Sequence, residues 1–408
     1  MIILLALLGT APSVACNQQE MPNVNSRYTV ETVELIPESM VRVSPSLHRD
    51  LQKLVGERLN LNALNALGRR IRQETNARDV MQKISKGTQP DHVRVVFEVV
   101  RRNEVIRVPA PLLAYHSRQG WTGGVDASLP MGGNRFTGGV VSDGDRLTER
   151  FAGIRARFER PRLGTSRVGL RIDAESFHQQ WDGATLRAAD ASDPGAIYRT
   201  RRNVEPVLDF RVARPLTLST GMSFQQLQQQ FPAAKIQAAN ALVTTLRYQR
   251  HWEAFASSQR LDAGYDLRAA TRTLASDYVY ARHAWSSRYL LTRSRQSLSA
   301  EFLAGTMTGR TPLFERFVLG NTATLRGWNK FEIAPLGGNR VAHGSVEYRY
   351  RFLRAFYDTG AVWDDGEDAA VRHGAGVGLH AGPVLLSVAF PLRDGRAIPV
   401  FMLTMAPR

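Results

Sequence analysis

Two periods divide the chain. Between Arg27 and Arg102 the apolar positions mix helical and strand spacing, and from Trp121 onward they alternate with polar ones at a period of two. In the first stretch Tyr28–Ile36 reads as a strand. Ser44-Pro45 reads as an N-cap followed by proline at the first helical position. Leu47, Leu51, Leu54 and Val55 form one apolar stripe, and a second helix after Asn60 turns Leu64, Leu67 and Ile71 inward and Arg69, Arg70 and Arg72 outward. Arg78–Ser85 reads as a short strand and Lys86-Gly87 as a turn. Val93, Val95, Phe97 and Val99 then alternate with Arg94, Val96, Glu98 and Val100. Strand, helix, helix, strand, strand makes a small α+β unit, near the lower size for an independent core.

The second region is strand after strand. Ile154, Ala156 and Phe158 alternate with Arg155, Arg157 and Glu159, and Val168, Leu170, Ile172 and Ala174 with Gly169, Arg171, Asp173 and Glu175. Val346, Tyr348, Tyr350 and Phe352 repeat the pattern, and Pro161–Gly164, Arg214-Pro215, Asp364–Gly366 and Asp394-Gly395 supply the turns. About fifteen such segments of roughly nine to fifteen residues are present, and an even count of about sixteen suits a single-chain transmembrane barrel. A soluble sandwich alternates too, but its strands run to about five or six residues. Charge on one side of nearly every segment fits a wet lumen with an apolar outside. The predicted fold class is therefore mainly β: a transmembrane antiparallel barrel of about sixteen strands behind a small N-terminal α+β domain.

Composition agrees. The 408 residues contain no run of eighteen apolar ones, so no spanning helix is predicted. Net charge is +16 and almost all arginine, since lysine occurs only at 53, 83, 86, 235 and 330. The arginines alternate with apolar residues and form no dense patch, which points to lumen and lipid-headgroup contacts and away from nucleic acid. Ile2–Leu8 followed by Ser13-Val14-Ala15 reads as a signal peptide over 1–15. Cys16, the single cysteine, excludes an internal disulfide and is a candidate for lipidation after cleavage. Gly374-Ala375-Gly376-Val377-Gly378 has the glycine spacing of a dinucleotide loop, but no helix follows it, so it reads as strand. Asp143-Gly144-Asp145 and Asp364–Asp368 read as turns before cation sites. No Gly-x-Ser-x-Gly, metal-ligand spacing or nucleophile–base pair is identifiable, so no enzyme, cofactor or metal is predicted.

The most specific chemistry lies in Pro312–Leu392. Pro312–Asn321 leads into Leu325-Arg326-Gly327-Trp328; Glu347 shares a strand face with Ser345, Arg349 and Arg351, and Asp358 shares one with Gly360. Both carboxylates fall on the lumen parity of consecutive strands, where one guanidinium fork can hold both. Gly327 lets the loop backbone approach the wall and Gly360 clears space beside Asp358. This constellation resembles the closing third of the BamA/TamA family of outer-membrane barrels, over about 290 residues when the weaker upstream match is included. The family usually carries glycine at Asn321 and Phe or Tyr at Trp328.

The resemblance implies 16–104 as a periplasmic domain like a polypeptide-transport-associated (POTRA) domain, and 105–408 as the outer-membrane barrel. Within the barrel, 321–338 would be a loop folded into the lumen, with Arg326, Gly327, Trp328, Glu347, Asp358 and Gly360 at the loop–wall contact. It implies assistance to folding, insertion or translocation of client outer-membrane or secreted polypeptides, in contact with outer-membrane lipids and accessory periplasmic or inner-membrane proteins. A two-partner-secretion transporter and a passive pore are the alternatives. A lateral seam is expected between the final strand, roughly Arg396–Met405 with Gly395 and Pro399, and a first strand near Trp121–Leu129 with Gly123 and Gly124, since proline and glycine are poor ladder formers.

Overall fold

The computed structural model describes residues 27–36, 43–75, 77, 79–100, 112–230, 235–254, 257–393 and 398–405. The signal peptide, Cys16 and Gly395 lie outside the described residues. The chain divides into two compact units, Met1–Asn103 and Glu104–Arg408.

In the first unit the elements run β1 (Thr29–Ile36), α1 (Pro45–Gln52), α2 (Leu61–Thr75), β2 (Asp79–Lys86) and β3 (His92–Val100). Ser44 caps α1, its Oγ accepting from Leu47 N at 3.2 Å, and Asn60 Oδ1 accepts from Asn62 N and Ala63 N to start α2. The helices bury Leu47, Leu51, Leu64 and Ile71 against Val30, Val95 and Phe97 of the sheet. The strand order is β1-β3-β2, with β1 parallel and β2 antiparallel to β3. The apolar run Val93–Val100 is thus the middle strand, which suits its near-continuous hydrophobicity. The outer side of β1 is partly taken by the segment at 56–59, where Gly56 N donates to Val30 O and Leu59 N to Tyr28 O. Among the described residues β2 is the open edge.

The second unit is a closed antiparallel barrel. Its strands are β4 (Leu112–His116), β5 (Gly120–Met131), β6 (Asn134–Asp143), β7 (Arg150–Arg160), β8 (Val168–Gln180), β9 (Tyr198–Ala213), β10 (Leu216–Gln229), β11 (Ile236–Ala238), β12 (Ala241–Ala254), β13 (Ser257–Ala270), β14 (Val279–Arg293), β15 (Gln296–Arg310), β16 (Arg340–Tyr350), β17 (Leu353–Trp363), β18 (Arg372–Ala381), β19 (Val384–Leu392) and β20 (Val400–Met405). The three-residue β11 only extends a hairpin, leaving sixteen full strands, as the alternation predicts. Parity sorts the faces. On β16, Val341, His343 and Ser345 are buried inward, while Val346, Tyr348 and Tyr350 are exposed outward. Trp121, Ile154, Val204, Leu246 and Phe302 continue that exposed apolar exterior, the surface a bilayer covers. One rim has tight turns such as 294–295 and 351–352, and the other has longer connections, of which 311–339 is the longest.

Closure differs from the sequence expectation. The final strand is the six-residue β20, with Pro399 immediately before it, and its partner is the five-residue β4. Gly123 and Gly124 sit one strand further in, on β5, opposite Leu113 and Leu112 of β4. A five-residue strand carries too few alternations to stand out from a linker, so the first barrel strand was not legible.

Candidate functional site

The connection 311–339 turns into the lumen. Its base is clipped by paired backbone hydrogen bonds between Phe317 and Gly338, both 3.0 Å. Gly320 (φ +92°), Leu325 (φ +45°) and Gly327 (φ +96°) supply left-handed backbone at its bends. Asn321 works through its side chain instead: Oδ1 accepts from Ala323 N, Thr324 N and Thr324 Oγ1, closing a turn in place of a left-handed residue. Asn329 Oδ1 accepts from Phe331 N and opens the short helix α3 (Lys330–Ile333). Leu319, Leu325 and Trp328 pack with Met307, Val341 and Val362, giving the loop an apolar body inside a polar lumen.

Arg326 is the loop's contact with the wall, and it is only 4% exposed. Its Nε and Nη2 donate to the two oxygens of Asp358 at 2.8 and 2.7 Å, and its backbone N adds a third bond at 2.9 Å. Nη2 also donates to Ser345 Oγ at 2.9 Å and Nη1 to Glu347 Oε2 at 3.1 Å. Ser345 Oγ in turn donates to Asp358 Oδ1 at 2.6 Å. The structure therefore brings Arg326, Glu347 and Asp358 together on β16 and β17. Glu347 also pairs with Arg354 at 2.5 Å and Arg349 at 3.5 Å, so it is shared among three arginines.

The glycines fit the same contact. A Cβ on Gly327 would lie 3.0 Å from the backbone of Phe390 and Pro391, and one on Gly360 2.8 Å from Ala342 O. Trp328 donates from Nε1 to His373 O at 2.7 Å, and the guanidiniums of Arg372 and Arg393 lie 4.7 and 4.5 Å from its ring centroid. Gly123 and Gly124 are not part of this assembly, and Pro399 stands beside the seam.

Sequence reasoning missed three parts of the site. The Arg326 guanidinium lies 3.7 Å from the ring centroid of Phe356, which shares lumen parity with Asp358. Gly374 and Gly376 keep the facing wall bare: a Cβ at Gly374 would lie 2.3 Å from Arg326 O, and one at Gly376 2.3 Å from the Phe356 ring. Lys330, 1% exposed, donates from Nζ to the carbonyls of Gly144 (2.6 Å), Asp145 (3.3 Å) and Leu147. Burial pushes its pKa down from 10.5 to about 8. Beside it Asp145 accepts from Thr322 N at 3.1 Å and Thr322 Oγ1 at 2.6 Å, while burial raises its own pKa. Asp143 Oδ1 accepts from Asp145 N at 2.8 Å, so Asp143-Gly144-Asp145 is a turn gripping the loop.

The Omp85 superfamily domain profile matches residues 132–397. Over 111 residues the chain is 29% identical to the outer membrane protein assembly factor BamA of Nitratidesulfovibrio vulgaris, covering 22% of this chain and 14% of that protein's length. Among solved structures, BamA from Haemophilus ducreyi lacking POTRA domains 1-3 matches with a TM-score of 0.66 at 14% identity, over 93% of this chain and 84% of that chain. CdiB from Acinetobacter baumannii matches with a TM-score of 0.56 at 11% identity, over 93% and 74%. At these identities the two structures speak to fold.

Proposed function

The chain belongs to the Omp85 superfamily, and on that premise we propose that it is an outer-membrane barrel assisting the folding, insertion or translocation of other outer-membrane or surface polypeptides through a seam that opens sideways. The observation carrying this reading is the seam. Among the described residues four pairs join β20 to β4, from Met402↔His116 to Met405↔Leu113, against fifteen between β14 and β15. Ladder hydrogen bonds satisfy backbone groups that lipid cannot, so this ladder, the shortest between full strands among the described residues, is the least costly to part. Once parted, it presents unpaired strand edges on which a client strand can be templated. The N-terminal unit, with its open β2 edge, is the periplasmic POTRA-like partner in this reading. The Arg326 contact holds the loop while the seam works.

A passive pore is less well supported, because the inward-folded loop fills lumen space with an apolar body. A two-partner-secretion transporter uses the same barrel physics with a secreted client. Both are separated by one experiment. Ala114 and Thr404 are directly opposite across the seam, at a spacing of about 4.5–5.5 Å that a disulfide spans. In a Cys16→Ser background, proteoliposomes carrying Ala114→Cys/Thr404→Cys are expected to lose client barrel folding on oxidation and regain it on reduction. Full activity with the seam crosslinked would overturn the proposal, and loss restricted to a secreted client would favour translocation over insertion.

A further inference from the structure

The loop rim of the seam carries a set of contacts that wall anchoring alone does not require. Glu332, on α3 of the inward loop, pairs at once with Arg118 (3.0 Å) and Arg393 (3.1 Å). Arg118 follows β4 and Arg393 follows β19, so the two cations stand on opposite sides of the β4–β20 junction. Arg118 Nη2 also donates to Ile398 O at 3.4 Å, and Gln119 Nε2 donates to Gly320 O of the loop at 2.7 Å. Arg393 lies over Trp328, whose other cationic neighbour is Arg372 at the start of β18. A continuous chain of contacts thus runs from β18 through Trp328, Arg393, Glu332 and Arg118 to β4, with the loop as its middle link.

We propose that Glu332 is a clasp: it bridges the two sides of the seam at the loop rim, so that seating of the inward loop and closure of the seam are one coupled equilibrium. This rests on the reading that the seam opens. Parting β4 from β20 carries Arg118 away from Arg393, and a single carboxylate cannot follow both. The seam then sheds one ion pair, and the loop sheds part of its hold on the rim. By linkage, a polypeptide that displaces the loop loosens the seam, and one that enters the seam loosens the loop. Glu332 and Arg393 are 40% and 44% exposed, so the clasp is screened by salt, whereas the Arg326–Asp358 anchor, with side chains 5% and 0% exposed, is not. The clasp is thus the adjustable tie and the Arg326 contact the fixed one.

Hydrogen exchange of the β4 and β20 backbone tests this without any client. In nanodiscs at low salt, Glu332→Gln is expected to speed exchange in segments 112–116 and 400–405 by roughly two- to tenfold, the range two partly exposed ion pairs supply. The β13–β14 segments should be unchanged. Raising salt should speed seam exchange in the wild type and leave Glu332→Gln nearly flat, while Arg118→Gln/Glu332→Gln should go little beyond Glu332→Gln alone. Glu332→Asp should restore part of the protection. Unchanged seam exchange in Glu332→Gln, or an equal rise at β13–β14, would overturn the clasp. Neither result bears on whether the seam must open for clients, which the crosslinked barrel decides by itself.

Discussion

At the scale of single residues, Arg326 is committed to its place by what it would leave behind. Asp358 is fully buried, and among the described residues every hydrogen bond to its oxygens comes from Arg326 or Ser345. Arg326→Ala strands that carboxylate, a loss of about 3–5 kcal/mol when a deeply buried pair is broken. Arg326→Lys should recover little, because one ammonium cannot meet Asp358, Ser345 and Glu347 together. Limited proteolysis of the loop in the folded barrel reads both variants, and unchanged resistance in Arg326→Ala would make the contact ornamental. Gly376→Val should expose the loop in the same assay without removing any charge, since its Cβ meets Val388 O at 2.4 Å as well as Phe356. The charged trio was legible because strand parity assigns each side chain a face. Phe356 and the glycines opposite it were not, because an aromatic at a lumen position and a glycine run in a strand have many ordinary causes until the loop backbone is seen against them. Asn321, where the family usually carries glycine, closes its turn through its side chain.

At the scale of elements, the loop is held from both sides, by Arg326 on β16 and β17 and by Lys330 on the 144–147 segment. The lysine gives the loop a pH dependence of definite sign. Its pKa is depressed to about 8 when seated and returns toward 10.5 when released. The released state therefore binds more protons between those values, and the seated state gains stability as pH rises through that window; the gain is lost again as pH falls through about 8. Loop proteolysis in the wild type should accordingly slow from pH 8 toward pH 10 relative to Lys330→Met, which lacks the titrating group. A wild-type and variant difference that does not change with pH would show that the amine is not buried in the seated state. Long strands and helices were readable here, down to the cap at Ser44 and the helix start after Asn60, because their periods persist over many residues. β4 was not, and neither was the strand order of the first unit, because pairing partners are set by chain topology and not by the pattern within one strand.

At the scale of the whole molecule, closure without edges makes the barrel cooperative, and the four-pair β20–β4 ladder, the shortest between full strands among the described residues, is the natural place for it to yield. A closed wall satisfies every backbone group internally and resists detergent, so unheated protein should migrate on a gel ahead of the heated form. The temperature of that conversion is set by the weakest ladder. Ala114→Cys/Thr404→Cys, oxidised across the four-pair seam, should raise it clearly, whereas Ala263→Cys/Ser287→Cys, placed in the thirteen-pair ladder between β13 and β14, should change it little. The second disulfide secures strands that part only after the wall has already opened elsewhere, while the first removes the opening itself. Equal gains from both would mean that the wall gives way as a unit and that the short seam is no weaker than the rest. Recovery of the chain as a monodisperse soluble protein without detergent would remove the membrane reading altogether, since the exposed apolar band from Trp121 to Phe401 has no other cover.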